Sequence, residues 1–463
     1  METANKNFTA TRNACKLCTP LGATLAFEGI ENSVPLLHGS QGCSTYIRRY
    51  MISHFKEPVD IASTNFSEET AIFGGGANLK RALDNIIRQY NPELIGIATT
   101  CLSETIGDDV PMFLRDYIEN NRDKDLPVIV HVSTPSYRGT HVDGFHNAVR
   151  AMVDAFHPAR EKTECVDSAC EPAEKMLNIF PGMVSPEDLR YIKVLLAAFG
   201  VKGIMLPDYS ERLDGAPWSE FVKIQDGGTK LADIKKMSGA AGTVEFGRVL
   251  SRQESAGKLL RERFGIPLHS LGLPIGVTES DRFYSALEEI SGTETPEAIK
   301  KERGRLIDSY VDGHKYVSRV KAVVYGEEDL VAGIVSFLSE IGIIPVLCAS
   351  GGRSGMLESV LREVNPELDT TETVIMSGAD FVEIEERAKE LSPDIIIGHS
   401  KGYSVARKLK IPIVRIGFPI HDRFGGARLL HLGYRGAQQL FDRIVNCMME
   451  IKQESSDVGY SYI

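Results

Sequence analysis

The sequence predicts an α/β protein built from three doubly wound domains with parallel sheets. Three observations lead there. Short apolar, β-branched runs alternate with stretches of helical periodicity. The alternation falls into three blocks along the chain. The 463 residues, at roughly 150 per domain, leave room for about three domains. The expected domains are 1–160, 161–315 and 316–463, the last with a closing helical segment.

In the first block, Ala77–Tyr90 reads as a helix, with Leu79, Leu83, Ile86 and Ile87 at helical spacing. Asn91-Pro92 stops it. Leu94–Thr99 is a buried strand, Pro111–Asn120 a helix and Val128–Val132 the next strand. Strand, helix, strand implies parallel pairing. In the middle block, Pro186–Phe199 is a helix with Ser185 as N-cap and Pro186 at the first helical position. Gly203–Leu206, Thr243–Phe246 and Pro267–Leu271 are strands. The last block is the most regular. Strands are expected at Val320–Tyr325, Ile343–Leu347, Thr373–Met376, Ile395–Ile397 and Ile411–Ile416. Helices are expected at Asp329–Glu340 and Phe381–Leu391, with a short one ending at Val405–Leu409.

Composition narrows the function. Hydrophobic residues at 43% and charged residues at 25% are ordinary for a globular protein. The net charge of −11 argues against a protein that neutralises nucleic-acid phosphates. No apolar run reaches the ~20 residues that span a bilayer. Met1 to Ala14 lacks the apolar core of a secretory signal, so the expected location is cytoplasmic. Gly74-Gly75-Gly76 and Gly351-Gly352 fit neither dinucleotide-binding nor P-loop spacing, and turns or helix starts explain them.

The eight cysteines are not expected to form structural disulfides in a reducing compartment. Cys348 and Cys447 sit in apolar runs and read as small hydrophobes. Cys165 and Cys170 lie in a charged connector and read as linker thiols. Cys18, Cys43 and Cys101 are different. They are spaced by 25 and 58 residues, and each is expected in a turn beside Gly, Pro, Ser or Thr. Cys101 follows a strand, where open parallel sheets bind ligands. Thiolates this widely separated suit an iron–sulfur cluster better than a zinc knuckle; the alternative is incidental thiols. A fourth ligand has to come from Cys15, a Ser or Asp side chain, or another subunit. His38 bonds either cluster sulfurs or, as expected, the glycine-loop backbone, and Asp108-Asp109 are either paired carboxylates for acid–base work or, as expected, caps of a helix start. Arg48-Arg49 either meet a partner or are solvated, and His421 and Asp422 belong to a turn or an interface.

The segments around these cysteines carry a resemblance. CTPLGA, LLHGSQGCSTYIRRY, HFKEPVDIAST, FGGGANLKRAL, TTCLSETIGDDV and STPSYRGTH resemble the β-type subunits of nitrogenase component 1. GGTK near Gly227, LPIG near Gly272 and IVRIGFPIHDRFGG from Ile413 extend it over nearly the whole chain. The resemblance implies three Rossmann-like domains, an α2β2 heterotetramer and nitrogen fixation as the setting. It implies an iron–sulfur cluster at each α–β interface, either 4Fe–4S or a P-cluster-like 8Fe–7S. Cys18, Cys43 and Cys101 match the metal ligands, and Ser136 in TPSY matches a redox-linked serine beside the cluster. No catalytic residue is implied on this chain. A transient NifH-like reductase supplies ATP and electrons, and neither nucleic acid nor membrane is an expected partner.

Two branches of the family share this pattern. STYIRRY, EPVDIAST, GYRGAQQLFD and the ending SSDVGYSYI resemble NifN, which pairs with NifE as the scaffold for iron–molybdenum cofactor biosynthesis. The three cysteines resemble NifK, the catalytic β-subunit, because better-known NifN proteins keep only the cysteine of GSQGC. The expectation is a NifN-type subunit with a NifE-like α-type partner that retains P-cluster-type cysteines. The alternatives are the catalytic β-subunit and the β-subunit of a nitrogenase-like reductase.

Overall fold

The computed structural model describes residues 12–158 and 176–457, in three parallel sheets. The first holds β1 (Ser33–His38), β2 (Ala62–Ser63), β3 (Leu94–Thr99) and β4 (Val128–Val132), in the order β2-β1-β3-β4. The second holds β5 (Met176–Phe180), β6 (Lys202–Met205), β7 (Gly242–Phe246) and β8 (Leu268–Leu271), in the order β6-β5-β7-β8. The third holds β9 (Lys321–Gly326), β10 (Ile344–Ser350), β11 (Val374–Ser377), β12 (Ile395–Gly398) and β13 (Ile413–Arg415), in the order β11-β10-β9-β12-β13. Helices connect the strands, and the helix Gly433–Glu454 closes the described chain. No helix among the described residues is long and apolar enough to cross a membrane.

The expected elements are present with ends shifted by a few residues at most. β10 runs on through Cys348 to Ser350, and the expected strand Gly203–Leu206 is Lys202–Met205. Ser185 caps its helix reciprocally: its hydroxyl accepts from Asp188 N–H at 3.0 Å, and Asp188 accepts from Ser185 N–H at 3.1 Å. Cys348 is fully buried and Cys447 half-buried, as small hydrophobes are. Cys165 and Cys170 lie outside the described residues.

Side chains alternate across β1 as a pleated strand requires. Leu37 enters the main core, and Val34 and Leu36 enter a smaller cluster on the other face with Leu83 and Ile97. The main core is continuous across the three sheets, taking in Leu94, Leu177, Val244 and Val324. The units are therefore packed against one another rather than strung on linkers.

The tightest contact joins the wholly buried helix Thr19–Glu28 to the helix His141–Phe156. A Cβ on Gly144 would stand 1.9 Å from Thr19 O, and one on Gly22 would stand 1.6 Å from His141 O. Gly144→Ala should therefore cost about 3 kcal/mol or more, at the upper end of overpacking penalties. Gly304 lies on the helix Glu297–Val317, and a Cβ added there would meet nothing within 4 Å. Gly304→Ala should instead add roughly 0.5–1 kcal/mol. Urea midpoints of the two variants should move in opposite directions.

Candidate functional site

Topology brings the sequence-selected residues together. β1 and β3 are neighbours, with His38 opposite Thr99 at their carboxyl ends, and β4 pairs with β3 on its other side. Cys43 lies in the first turn of the helix that follows β1, and Cys101 begins the helix that follows β3. Ser136 lies in the loop that follows β4. Cys18 comes from another direction, as N-cap of the helix Thr19–Glu28. Leu17 N–H donates to His141 Nδ1 at 3.3 Å and His141 N–H donates to Leu17 O at 3.1 Å, which fixes that start. The three cysteines thus stand at helix starts rather than in turns, a correction to the sequence reading.

Ser136 knits the group. Its hydroxyl accepts from Thr19 N–H at 3.2 Å and bonds the Cys18 side chain, and its own N–H donates to Cys101 Sγ at 3.3 Å. Ser40 Oγ lies 3.6 Å from Cys43 Sγ. Lys16 Nζ donates to Ser136 O at 3.3 Å and to Gly139 O at 3.0 Å, pinning the serine loop. Cys18 and Cys101 are exposed and Cys43 is half-buried. Cys18 presents surface to solvent, yet the surrounding protein desolvates it and pushes its thiol up. Ser136 and Lys16 pull it back, while Cys101 and Cys43 add to the upward push because like charges repel.

Among the described residues, no three His, Cys, Asp or Glu side chains are close enough to hold one metal ion. A mononuclear site therefore does not fit. A multi-iron cluster spreads its cysteine ligands over several metal atoms, and an all-sulfur donor set is the chemistry it takes.

Beneath the thiols lies a polar floor that sequence reasoning partly misses. His38 is fully buried, and its Nε2 lies 3.0 Å from Asp108, which also accepts from Gly75 N–H at 3.1 Å. The expectations of a loop-backbone partner for His38 and a capping role for Asp108 are corrected by this pairing. Only Asp109 caps, accepting from Met112 N–H at 2.9 Å. Burial lowers the His38 pKa and Asp108 opposes the shift. Glu104 accepts from Ser133 Oγ at 2.6 Å and from Thr99 Oγ1, tying the β3 and β4 ends together. Gly39 is needed here, since a Cβ on it would stand 2.0 Å from Thr100 Oγ1.

Other candidates lie elsewhere. Cys15 is buried against the third sheet, where burial pushes its thiol up to about 12. It is a packed neutral thiol and no part of the exposed group. Asp422 grips Arg415 at 2.7 Å and accepts from Ser400. Burial works against its charge, but Arg415 and Ser400 hold the carboxyl down to about 2. It braces a turn while His421 faces solvent. Arg48 pairs loosely with Asp60 at 3.5 Å on the surface, and Arg49 is exposed.

Fold and site together define a class: three stacked parallel-sheet units with thiols at the strand ends of the first. The chain belongs to the nitrogenase component 1 family, among its β-type subunits: the model for nitrogenase component 1 type oxidoreductases matches residues 18–449. The nitrogenase molybdenum-iron protein beta chain of Clostridium pasteurianum is 35% identical over 97% of this chain and 96% of its own length. The iron-molybdenum cofactor biosynthesis protein NifN of Bradyrhizobium diazoefficiens is 31% identical over 96% of this chain and 90% of its own. A solved structure of nitrogenase Cp1 superposes with a TM-score of 0.92 at 33% identity, covering 99% of this chain and 98% of that one.

The floor makes a testable claim. Asp108→Ala leaves a buried imidazole and the Gly75 N–H without their acceptor. It should cost about 2–3 kcal/mol, and Asp108→Asn, which keeps one acceptor oxygen, should cost less. Chemical denaturation of the two variants measures the difference.

Proposed function

We propose that this chain carries part of the ligand set of an iron–sulfur cluster at its interface with an α-type partner, in an α2β2 heterotetramer. Cys18, Cys43 and Cys101 are the proposed ligands, and Ser136 the side chain beside them. The observation that carries the reading is the approach of Cys18, Cys43 and Cys101 on one solvent-facing patch from helix starts 83 residues apart at the extremes, with Ser136 beside them. When bound, such a cluster supplies electron storage and relay; this chain supplies the thiols and the loop that orients them. Coordination turns each thiol into a thiolate, so the charge that burial resists at Cys18 is met by iron. A NifH-like reductase is the proposed transient partner, with nucleotide carried on that protein.

Within the family we assign the chain to the scaffold branch, a NifN-type subunit serving iron–molybdenum cofactor assembly. GYRGAQQLFD and STYIRRY support it, as does the similarity to NifN. The second reading, the catalytic β-subunit, is favoured by the higher identity to molybdenum-iron beta chains and by the complete set of cysteines with Ser136.

Two experiments test these layers. Cys43→Ala should lower the iron content of the anaerobically purified heteromer and reduce its thermal stability, because ligation is coupled to interface stability. Unchanged iron and an unchanged melting curve would remove Cys43 from the ligand set. Deleting the gene separates the branches. For a scaffold subunit, isolated iron–molybdenum cofactor added to the extract restores acetylene reduction. For a catalytic subunit, activity stays absent, since the protein that uses the cofactor is gone.

A further inference from the structure

A second site lies behind the thiol patch. The carboxyl ends of β9, β10 and β11 open, across the loop after β4, onto a cavity of about 870 Å³. That volume lies within the roughly 300–1,000 Å³ of small-molecule sites. The crevice outside strand carboxyl ends is where open parallel sheets bind ligands.

The charges lining it divide into engaged acids and free cations. Glu327 accepts from Asp329 N–H at 2.9 Å and Leu330 N–H at 2.5 Å, capping the helix Glu328–Glu340. Asp143 accepts from Thr140 N–H at 2.6 Å, and Asp329 accepts from Val249 N–H at 2.7 Å. Glu328 and Glu383 also line the cavity and accept from Ser354 N–H and Asp380 N–H, each at 3.4 Å, so all five lining carboxylates are engaged with backbone donors. Arg138, after β4, and Arg353, after β10, come from different sheets. Neither side chain has a hydrogen bond or ion pair among the described residues. Arg138 has only the face of Tyr137, with its guanidinium carbon 5.8 Å from the ring centroid. Arg353 crosses Gly378, where a Cβ would stand 2.3 Å from its Nε. Lys16 pins the Arg138 loop through carbonyls, so among the described residues its charge also lacks a carboxylate partner.

We propose that this cavity binds a compact polyanion bearing two or more carboxylate or phosphate groups, held between Arg138 and Arg353. Guanidinium forks recognise both groups bidentately. A dinucleotide mode is closed, because the N–H groups that would meet its pyrophosphate are taken by the Glu327 carboxylate. Side chains rather than a helix start therefore hold the ligand. Ser136 lines the same cavity, so occupancy stiffens the loop that presses Ser136 against Cys101. The proposal needs no cluster and stands apart from the branch assignment.

The test uses the full-length chain with the subunits that co-purify with it. Calorimetric titration at low salt with propane-1,2,3-tricarboxylate and, separately, with inorganic pyrophosphate should give saturable binding of at least one probe, one per chain. The probe that binds identifies the acid group. Arg138→Gln and Arg353→Gln should each weaken binding about ten-fold or more, Arg353→Lys should weaken it less, and Arg362→Gln, outside the cavity, should not. Hydrogen exchange in residues 136–139 should slow when the probe is bound, a readout that needs no variant. Binding of neither probe, affinity unchanged in both glutamine variants, or unaltered exchange in that loop would overturn the proposal.

Discussion

The arrangement rests on the backbone-to-backbone approach of the helices Thr19–Glu28 and His141–Phe156. Gly22 and Gly144 have no side chain, so Thr19 O and His141 O reach positions that any Cβ would occupy. The first helix is thereby drawn wholly into the core, although it carries Glu28 and three threonine or glycine positions that favour other conformations. Its N-cap, Cys18, is delivered to the loop that follows β4. Without that approach, Cys18 and Ser136 would belong to separate surfaces.

The segment before this helix fastens the units to one another. Asp380 accepts from the N–H groups of Arg12 and Asn13 at 2.7 and 2.6 Å, and Cys15 N–H donates to Ala379 O at 3.0 Å. Lys401 donates to Ala14 O. At the far end, Glu28 meets Arg212 of the middle unit at 2.7 Å, both nearly fully buried. Burial pushes Glu28 up to about 7 against the pull of Arg212. Such a pair is costly to desolvate and contributes most through geometry. The remaining Arg212 donors reach Ile30 O, Ser33 Oγ and Ser33 O at 2.9–3.1 Å, which sets the middle sheet against β1. One short stretch of chain thus ties three sheets into one body.

Much of this is legible in the sequence, and the gaps have physical causes. The third block can be read almost residue by residue because its strands are short apolar runs rich in Val and Ile between clean turn signals. β1 escapes a sequence reading because Pro35 sits in its middle and proline is poor in interior strands. It is tolerated where β2 is two residues long and pairs only Leu36 and Leu37. The cysteine contexts look like turns because Gly42, Ser40 and Thr100 are also what helix starts and close strand ends require. The Asp108–His38 pair spans 70 residues, and no local pattern encodes such a partner. Cys15 resembles Cys18 in sequence but differs in burial, which only the third sheet decides. The polyanion cavity is invisible in the sequence for the same reason: Arg138 and Arg353, from different sheets, come to line one cavity.

The electrostatics of the thiol patch argue for a charge from outside the chain. Cys18 cannot ionise cheaply, since burial and the neighbouring Cys101 and Cys43 push its thiol up. Near Cys18 the compensating groups are Ser136, a neutral donor, and Lys16, whose ammonium is already committed to two carbonyls. A protein that used these thiols as nucleophiles would gather cations or a histidine around one of them. Here the buried imidazoles are engaged elsewhere, His38 with Asp108 and His141 with Leu17 N–H. Under the proposed function, bound iron brings the positive charge that the patch itself lacks. An exposed, pre-positioned set of sulfurs on a solvent-facing surface also needs cover, because bound metal–sulfur groups left open to water are poorly protected. On the proposed reading a second protein surface closing over the patch answers both requirements: Cys18 and Cys101 are exposed, and Cys43 is half-buried against the edge of the main core.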